Sequence, residues 1–218
     1  MRERYGAPSN ILTRNEGTPA QNTIERKRAR MIITELLQTA KLFHILYTFD
    51  KQLANDIKDK RCPFCGGILD WGNYQRKPRG QLCNVPDEYL VQFSLCCRNE
   101  HCRRRTKPPS CRFWGRKVYW SCVIIVIMAL VQNRSKKQRI KQLQDLFDIS
   151  HHTIRRWLRF FKDHFPFTDQ WKRLRGKVIS TIKDSQLPSN LLNYFIDTSP
   201  SKDDGLIRCL QFLASGHL

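Results

Sequence analysis

The 218-residue chain carries 39 Lys and Arg against 19 Asp and Glu, a formal net charge of +20. So basic a body is expected to meet an anionic partner, nucleic acid before membrane. With 40% hydrophobic and 11% aromatic residues it can bury a real core, which excludes a globally disordered chain.

The opening, "MRERYGAPSNILTRNEGTPAQ", is polar and lacks the apolar region of a secretory signal. Nine cysteines in such a chain point to metal ligation and buried thiols in a reducing, cytoplasmic setting, not to a disulfide framework. Residues 1–22 have no periodicity and are expected to form a flexible arm. A helical segment is expected over 23–60, where Ile32, Ile33, Leu36, Leu37, Ala40, Phe43 and Tyr47 recur at helical spacing. A break near Asp50 with resumption through Leu53 and Ile57 fits the same pattern. This helix is read as a packing element, with a homodimer formed through it as the sharper alternative.

Residues 61–106 combine short β-prone pieces ("GILDW", "YLVQFSL") with six cysteines and too few apolar residues to fold by burial alone. One structural Zn²⁺ would supply the missing stability, which makes this segment a candidate zinc ribbon. In "CPFCGG" two thiolates at i and i+3, Cys62 and Cys65, can reach one ion across a tight knuckle. The second pair comes from "CCRNEHC". Cys102 is the natural fourth ligand, while Cys96 and Cys97 compete for third place. Strand alternation puts Phe93, Leu95 and Cys97 on one face, and the gap from Cys97 to Cys102 suits a knuckle, so Cys97 is favoured. His101 beside Cys102 is sterically awkward as a ligand. Cys83, Cys111, Cys122 and Cys209 are read as structural. A four-cysteine site has no open coordination position, so its expected role is structural.

Residues 107–166 are expected to hold a three-helix unit with a helix-turn-helix. "VYWSCVIIVIMALV", 14 residues long, is too short to cross a bilayer but suits a buried helix, and "GRKVYWSCVIIVIMALVQN" is read as that helix, from about Arg116. "SKKQRIKQLQDLFD" is amphipathic, with Ile140, Leu143, Leu146 and Phe147 inward. "DIS" forms the turn, Ser150 is the N-cap, and "SHHTIRRWLRFFKDHF" buries Ile154, Trp157, Leu158 and Phe161. His151, His152, Thr153, Arg155, Arg156 and Arg159 are then the DNA-facing candidates, with Arg155 or Arg156 suited to guanine and Thr153 or the histidines to phosphate. Lys136, Lys137 and Arg139 suit backbone contacts. Between Arg98 and Arg159 stand sixteen Lys or Arg against three acids, Glu100, Asp145 and Asp148. The run "CRRRTKPPSCRFWGRK", led by Arg103, Arg104 and Arg105 and interleaved with Phe113 and Trp114, could follow a phosphate backbone, enter a minor groove or stack on single-stranded bases. The loop "NYQRKPRG" is a lesser candidate for the same role.

Residues 167–218 form a C-terminal helical segment. An amphipathic helix is expected over Trp171, Leu174, Val178 and Ile182, with shorter pieces at Leu191–Ile196 and Leu206–Leu213. Asp197 and "SPSKDD" are read as a helix stop and a helix start. The whole is α+β, mostly α, with a small zinc-ribbon β-module inserted between an N-terminal helix and a C-terminal helical helix-turn-helix unit.

Through "CPFCGGILDWGNYQRKPRG", "SLCCRNEHCRRRTKPPSCRFWGRKVY" and "ISHHTIRRWLRFF" the chain resembles bacterial transposase-like proteins that join a Cys₄ zinc ribbon to a helix-turn-helix. It is similar in layout to the short zinc-finger and helix-turn-helix proteins encoded by insertion sequences, over about residues 60 to 172. The resemblance implies double-stranded DNA binding in a mobile-element setting, a bacterial cytoplasm with association to the nucleoid, and a transposition or transcription protein as partner. By motif position it supports Cys62, Cys65, Cys97 and Cys102 as ligands; such proteins commonly carry Gly where His101 stands. No P-loop, nucleophile elbow, His-Glu-x-x-His motif or strand-borne carboxylate triad is found, so an accessory or regulatory factor is expected, not an enzyme. RNA or single-strand binding, and a protein scaffold built on the terminal helices, are the alternatives.

Overall fold

The structure, a computed structural model, describes residues 37, 40–80, 84–132 and 137–216, with the backbone alone at 40 and 137–139. The expectations for the arm at 1–22, for Ile32, Ile33 and Leu36, for Cys83 and for Lys136 lie outside the described residues. Helix α1 (Ala40–Asp59) runs without a break at Asp50. Leu42, Phe43, Leu46, Leu53 and Ala54 fall on one stripe and are buried, and Asp50 lies on that stripe, also buried. Such a carboxylate demands a partner, which the linker supplies.

Five short strands follow: β1 (Leu69–Trp71), β2 (Tyr74–Gln75), β3 (Val91–Gln92), β4 (Leu95–Cys97) and β5 (Arg105–Thr106). They form an antiparallel sheet in the order β1-β4-β5 and a two-stranded pair, β2-β3. Leu69 stands opposite Cys97 and Trp71 opposite Leu95; Leu69, Leu95 and Cys97 are buried, and Trp71 is exposed. Cys62, Leu69, Leu95 and Cys97 make up the buried cluster here, with Ile57 and Cys102 packed against it. So small a core cannot hold three short strands by burial alone.

The remaining helices are α2 (Ser121–Gln132), α3 (Lys137–Phe147), α4 (His151–Arg159), α5 (Asp169–Arg175), α6 (Ser189–Asp197) and α7 (Lys202–Ser215). α2 is buried on every side from Ser121 to Ala129, as a helix apolar all round must be. Each of Ile124, Ile125 and Ile127, fully enclosed, contributes roughly 1.5–3 kcal/mol of burial. One continuous core runs from Leu37 in the N-terminal segment to Ala214 in α7. α6 and α7 pack closely: a Cβ on Gly205 would stand 2.6 Å from the Ile196 Cα.

Several sequence expectations are corrected. The buried helix begins at Ser121, because Phe113 and Trp120 pair as a β-bridge before it and Val118 points to solvent. Leu146 is exposed, whereas Leu143 and Phe147 are buried. α4 passes at Phe160 into a π-helical turn that ends at His164. α5 stops at Arg175, and Val178 and Ile182 pack from the segment that folds back beyond Gly176. There Trp171 Nε1 donates to Asp184 (3.0 Å) and the Arg175 guanidinium pairs with the same carboxylate (3.3 Å).

The linker between β5 and α2 is anchored, not free. Arg112 is completely buried and donates to Asp50 through Nε (2.8 Å), to the Tyr89 carbonyl (2.6 Å) and to the Val91 carbonyl (3.0 Å). Its guanidinium lies within about 5 Å of the Tyr47, Phe93 and Phe113 rings. The backbone N–H of Cys111 donates to the second Asp50 oxygen (2.7 Å). Burial and the Asp50 carboxylate push the Cys111 thiol well above its usual range. Arg112 and Phe113 are therefore unavailable to a phosphate backbone. In "NYQRKPRG", Arg76 is likewise engaged, donating to the Gly115 and Lys117 carbonyls (3.0 and 2.7 Å).

Candidate metal centre and basic helical face

The Sγ atoms of Cys62, Cys65, Cys97 and Cys102 all lie within 4.8 Å of one another. Cys65 and Cys97 are 3.4 Å apart, and Cys62 and Cys102 are 3.8 Å apart. Four thiolates at the usual zinc–sulfur bond length around one tetrahedral ion stand about 3.8 Å from each other. The donor set and the spacing therefore fit a single metal ion.

Two knuckles present the sulfurs. In the first, the Gly66 N–H donates to the Cys62 carbonyl (2.8 Å) and the Cys62 N–H to the Gly67 carbonyl (2.9 Å). Gly66 adopts φ +71°, a conformation glycine enters without strain. A Cβ on Gly67 would meet the Cys97 and Cys65 sulfurs at 3.1 and 3.3 Å, so the backbone closes against the site only because that side chain is absent. In the second knuckle, Asn99 does the folding. Its carbonyl accepts from the N–H groups of Cys102 and Arg103 (3.0 Å each), and its side-chain oxygen accepts from His101 N–H (3.0 Å). The antiparallel register joins the halves, with the Arg98 N–H donating to the Ile68 carbonyl (2.9 Å).

The electrostatics of the cluster suit a cation. Burial raises the Cys62 thiol, but the Phe64 and Cys65 backbone N–H groups and the adjacent thiols bring it down to about 7. Cys97 is pushed up to about 12, by burial first and by the thiols of Cys65, Cys62 and Cys102 in addition. At Cys102 the Arg104 N–H is the strongest influence and pulls downward, yet burial and the Cys65 and Cys62 thiols leave it raised. Four thiols this close cannot all ionise beside one another, and a dication removes that conflict.

Cys96 and His101 stay outside the cluster. Cys96 is half-buried and its thiol faces the Arg103 carbonyl at 3.7 Å, while the His101 side chain is exposed. Arg103, Arg104 and Arg105 are exposed beside the centre. Arg103 lies 3.9 Å from Glu100, and the Arg104 guanidinium sits 4.7 Å over the exposed Phe64 ring. The roles of Asn99 and Gly67 were missed in the sequence. Asn two residues after a ligand is a known turn former and was the available signal for the first.

The basic face on α4 is fixed by local chemistry. α3 ends at Phe147, Asp148 takes φ +49°, and the Ile149 N–H closes the helix end on the Gln144 carbonyl (3.0 Å). The Tyr119 hydroxyl donates to the Asp148 carbonyl (3.0 Å), and its ring meets Trp157 edge-on at 5.1 Å. Ser150 caps α4 by accepting from Thr153 N–H (3.2 Å). Ile154 and Trp157 are buried, so His151, His152, Arg155, Arg156 and Arg159 share the exposed side. The Arg156 guanidinium donates to the Thr153 hydroxyl (3.4 Å). Among the described residues no carboxylate pairs with Arg155, Arg156 or Arg159. Lys137 and Arg139 belong to α3, which is described there by its backbone alone.

No helix among the described residues is long and apolar enough to cross a membrane. No protein-family model, curated protein or solved structure matches the chain.

Proposed function

We propose that the chain binds one structural Zn²⁺ at Cys62, Cys65, Cys97 and Cys102 and binds duplex DNA sequence-selectively through α4. The observation that carries the DNA reading is the exposed, acid-free set of His151, His152, Arg155, Arg156 and Arg159 on a helix whose other side is locked by Ile154 and Trp157. A rigid, capped helix with cations on its N-terminal turns has the chemistry of a major-groove element. Lys137 and Arg139 would meet phosphates from the preceding helix, α3, and Lys136, next to them in the sequence, would add to that charge. Arg103, Arg104 and Arg105, beside the metal centre, would follow the adjoining backbone.

The metal would act as a structural tie, because four thiolates leave no position for water or substrate. A non-catalytic accessory or regulatory factor of a mobile element fits this, in a bacterial cytoplasm, with a transposition or transcription protein as partner. Selection of genomic fragments on the zinc-loaded protein, followed by binding across a salt series, tests the proposal. Enrichment of a common duplex motif is the expected outcome, and no enrichment with no salt-dependent binding counts against it.

A further inference from the structure

A cleft of about 700 Å³ opens between the β5–linker wall and the helices α5 and α7. Arg105, Lys107 and Arg116 contribute three exposed cations to its lining, and among the described residues no Asp or Glu lines it. None of the α4 residues does either. The net charge of the lining is therefore +3 with Arg and Lys fully charged, in a volume suited to a small ligand.

The apolar part of the cleft includes the aromatic side chains of Tyr74 and Trp114. Tyr74 lies with the Lys107 ammonium 5.6 Å and the Arg105 guanidinium 6.0 Å from its ring centroid. Trp114 is held edge-on against Phe161 (5.1 Å) and Phe165 (5.6 Å), and Pro108 and Pro109 extend the same wall. Leu210 and Leu213 also line the cleft, with Gln170 fixed by its bond to the Leu213 carbonyl (2.7 Å). Two further lining residues, Thr106 and Ser121, carry buried hydroxyl oxygens with no hydrogen-bond partner.

We infer that this cleft binds a nucleotide unit, its phosphate held by Arg105, Lys107 and Arg116 and its base against the Tyr74–Trp114 wall. Cations without neighbouring acids select the phosphate, and aromatic surfaces accept any base face, as in single-strand binding proteins. The nucleotide belongs to a single strand or is free in solution; both present the same chemistry. An acidic peptide would use the cations but not the aromatic wall. The inference does not rest on α4 binding duplex DNA.

The test is fluorescence anisotropy of a short labelled oligothymidylate with the zinc-loaded full chain. Lys107→Ala combined with Arg116→Ala, both at exposed positions, is expected to weaken binding on the order of tenfold. Lys51→Ala with Lys60→Ala, which removes the same charge from exposed positions on α1 and directly after it, is expected to change it by less than about twofold. Arg155→Ala with Arg156→Ala is expected to leave single-strand binding within the same margin while reducing duplex binding, so the two sites fail separately. Competition by thymidine monophosphate, or tight binding by the oligonucleotide alone, supports the inference and distinguishes the source. Equal losses from the cleft and α1 pairs overturn it. So do equal displacement by inorganic phosphate and by the nucleotide, preference for polyglutamate, or no binding of either nucleotide probe.

Discussion

Arg112 donates through Nε to Asp50 at 2.8 Å, across 62 residues of sequence, with both side chains shut off from water. The guanidinium also takes the carbonyls of Tyr89 and Val91, so one side chain ties α1, the chain entering β3 and the linker before α2. The β-region and the helical core are joined at this point.

Removing one partner leaves an uncompensated buried charge. Asp50→Ala or Arg112→Ala should each cost about 3–5 kcal/mol in denaturant unfolding. The double change Asp50→Leu with Arg112→Met should recover much of that, because two apolar side chains leave no orphan charge. Arg112→Lys should behave like a loss, since an ammonium cannot reach Asp50, Tyr89 and Val91 in one plane.

Gly67 sits where a methyl group would press on two of the clustered sulfurs, those of Cys97 and Cys65. Gly67→Ala should lower zinc affinity by about 10–100-fold in competition with a chelating dye. Gly66→Ala meets open space and should cost only its backbone strain, about 1–2 kcal/mol at φ +71°. The two neighbouring glycines thus separate a packing requirement from a conformational one.

Zinc content distinguishes the paired cysteines. Cys97→Ser should lose the stoichiometric ion, while Cys96→Ser should keep it, because only the Cys97 sulfur faces the other three. Chelation of the wild type should strip amide-exchange protection from β1, β4 and β5. The amides of α2, inside the larger core, should retain theirs.

The cap on α4 can be separated from its exposed face. Ser150→Ala should cost about 1 kcal/mol of stability by removing the cap hydroxyl from the Thr153 N–H, which keeps only the Ser150 carbonyl at 3.0 Å. Arg155→Ala, at an exposed position, should leave stability within about 0.5 kcal/mol.

The local devices were legible in the chain. Cysteine spacing and strand alternation pointed to the four sulfurs that cluster, and Ser150 announced the start of α4. Features made by distant contacts were not. Asp50 and Arg112 look like surface residues until each is seen to complete the other, since charge alone predicts exposure. Leu146 fits the helical stripe by spacing but falls at its margin, so periodicity could not place it. α5 stops at its Gly176 C-cap, a local signal that the apolar spacing of Val178 and Ile182 hid, and Asp184 returns from beyond it to hold Trp171 and Arg175. The cleft between β5 and α7 likewise exists only once the C-terminal helices pack back.

The most direct measurement of the central claim is binding of a selected duplex and a scrambled duplex by the wild type and by Arg156→Ala across a salt series. The account predicts that Arg156→Ala loses about 1–3 kcal/mol on the selected sequence and much less on the scrambled one, so that the ratio between them falls. An equal loss on both sequences, or no loss on either, would contradict base recognition by α4.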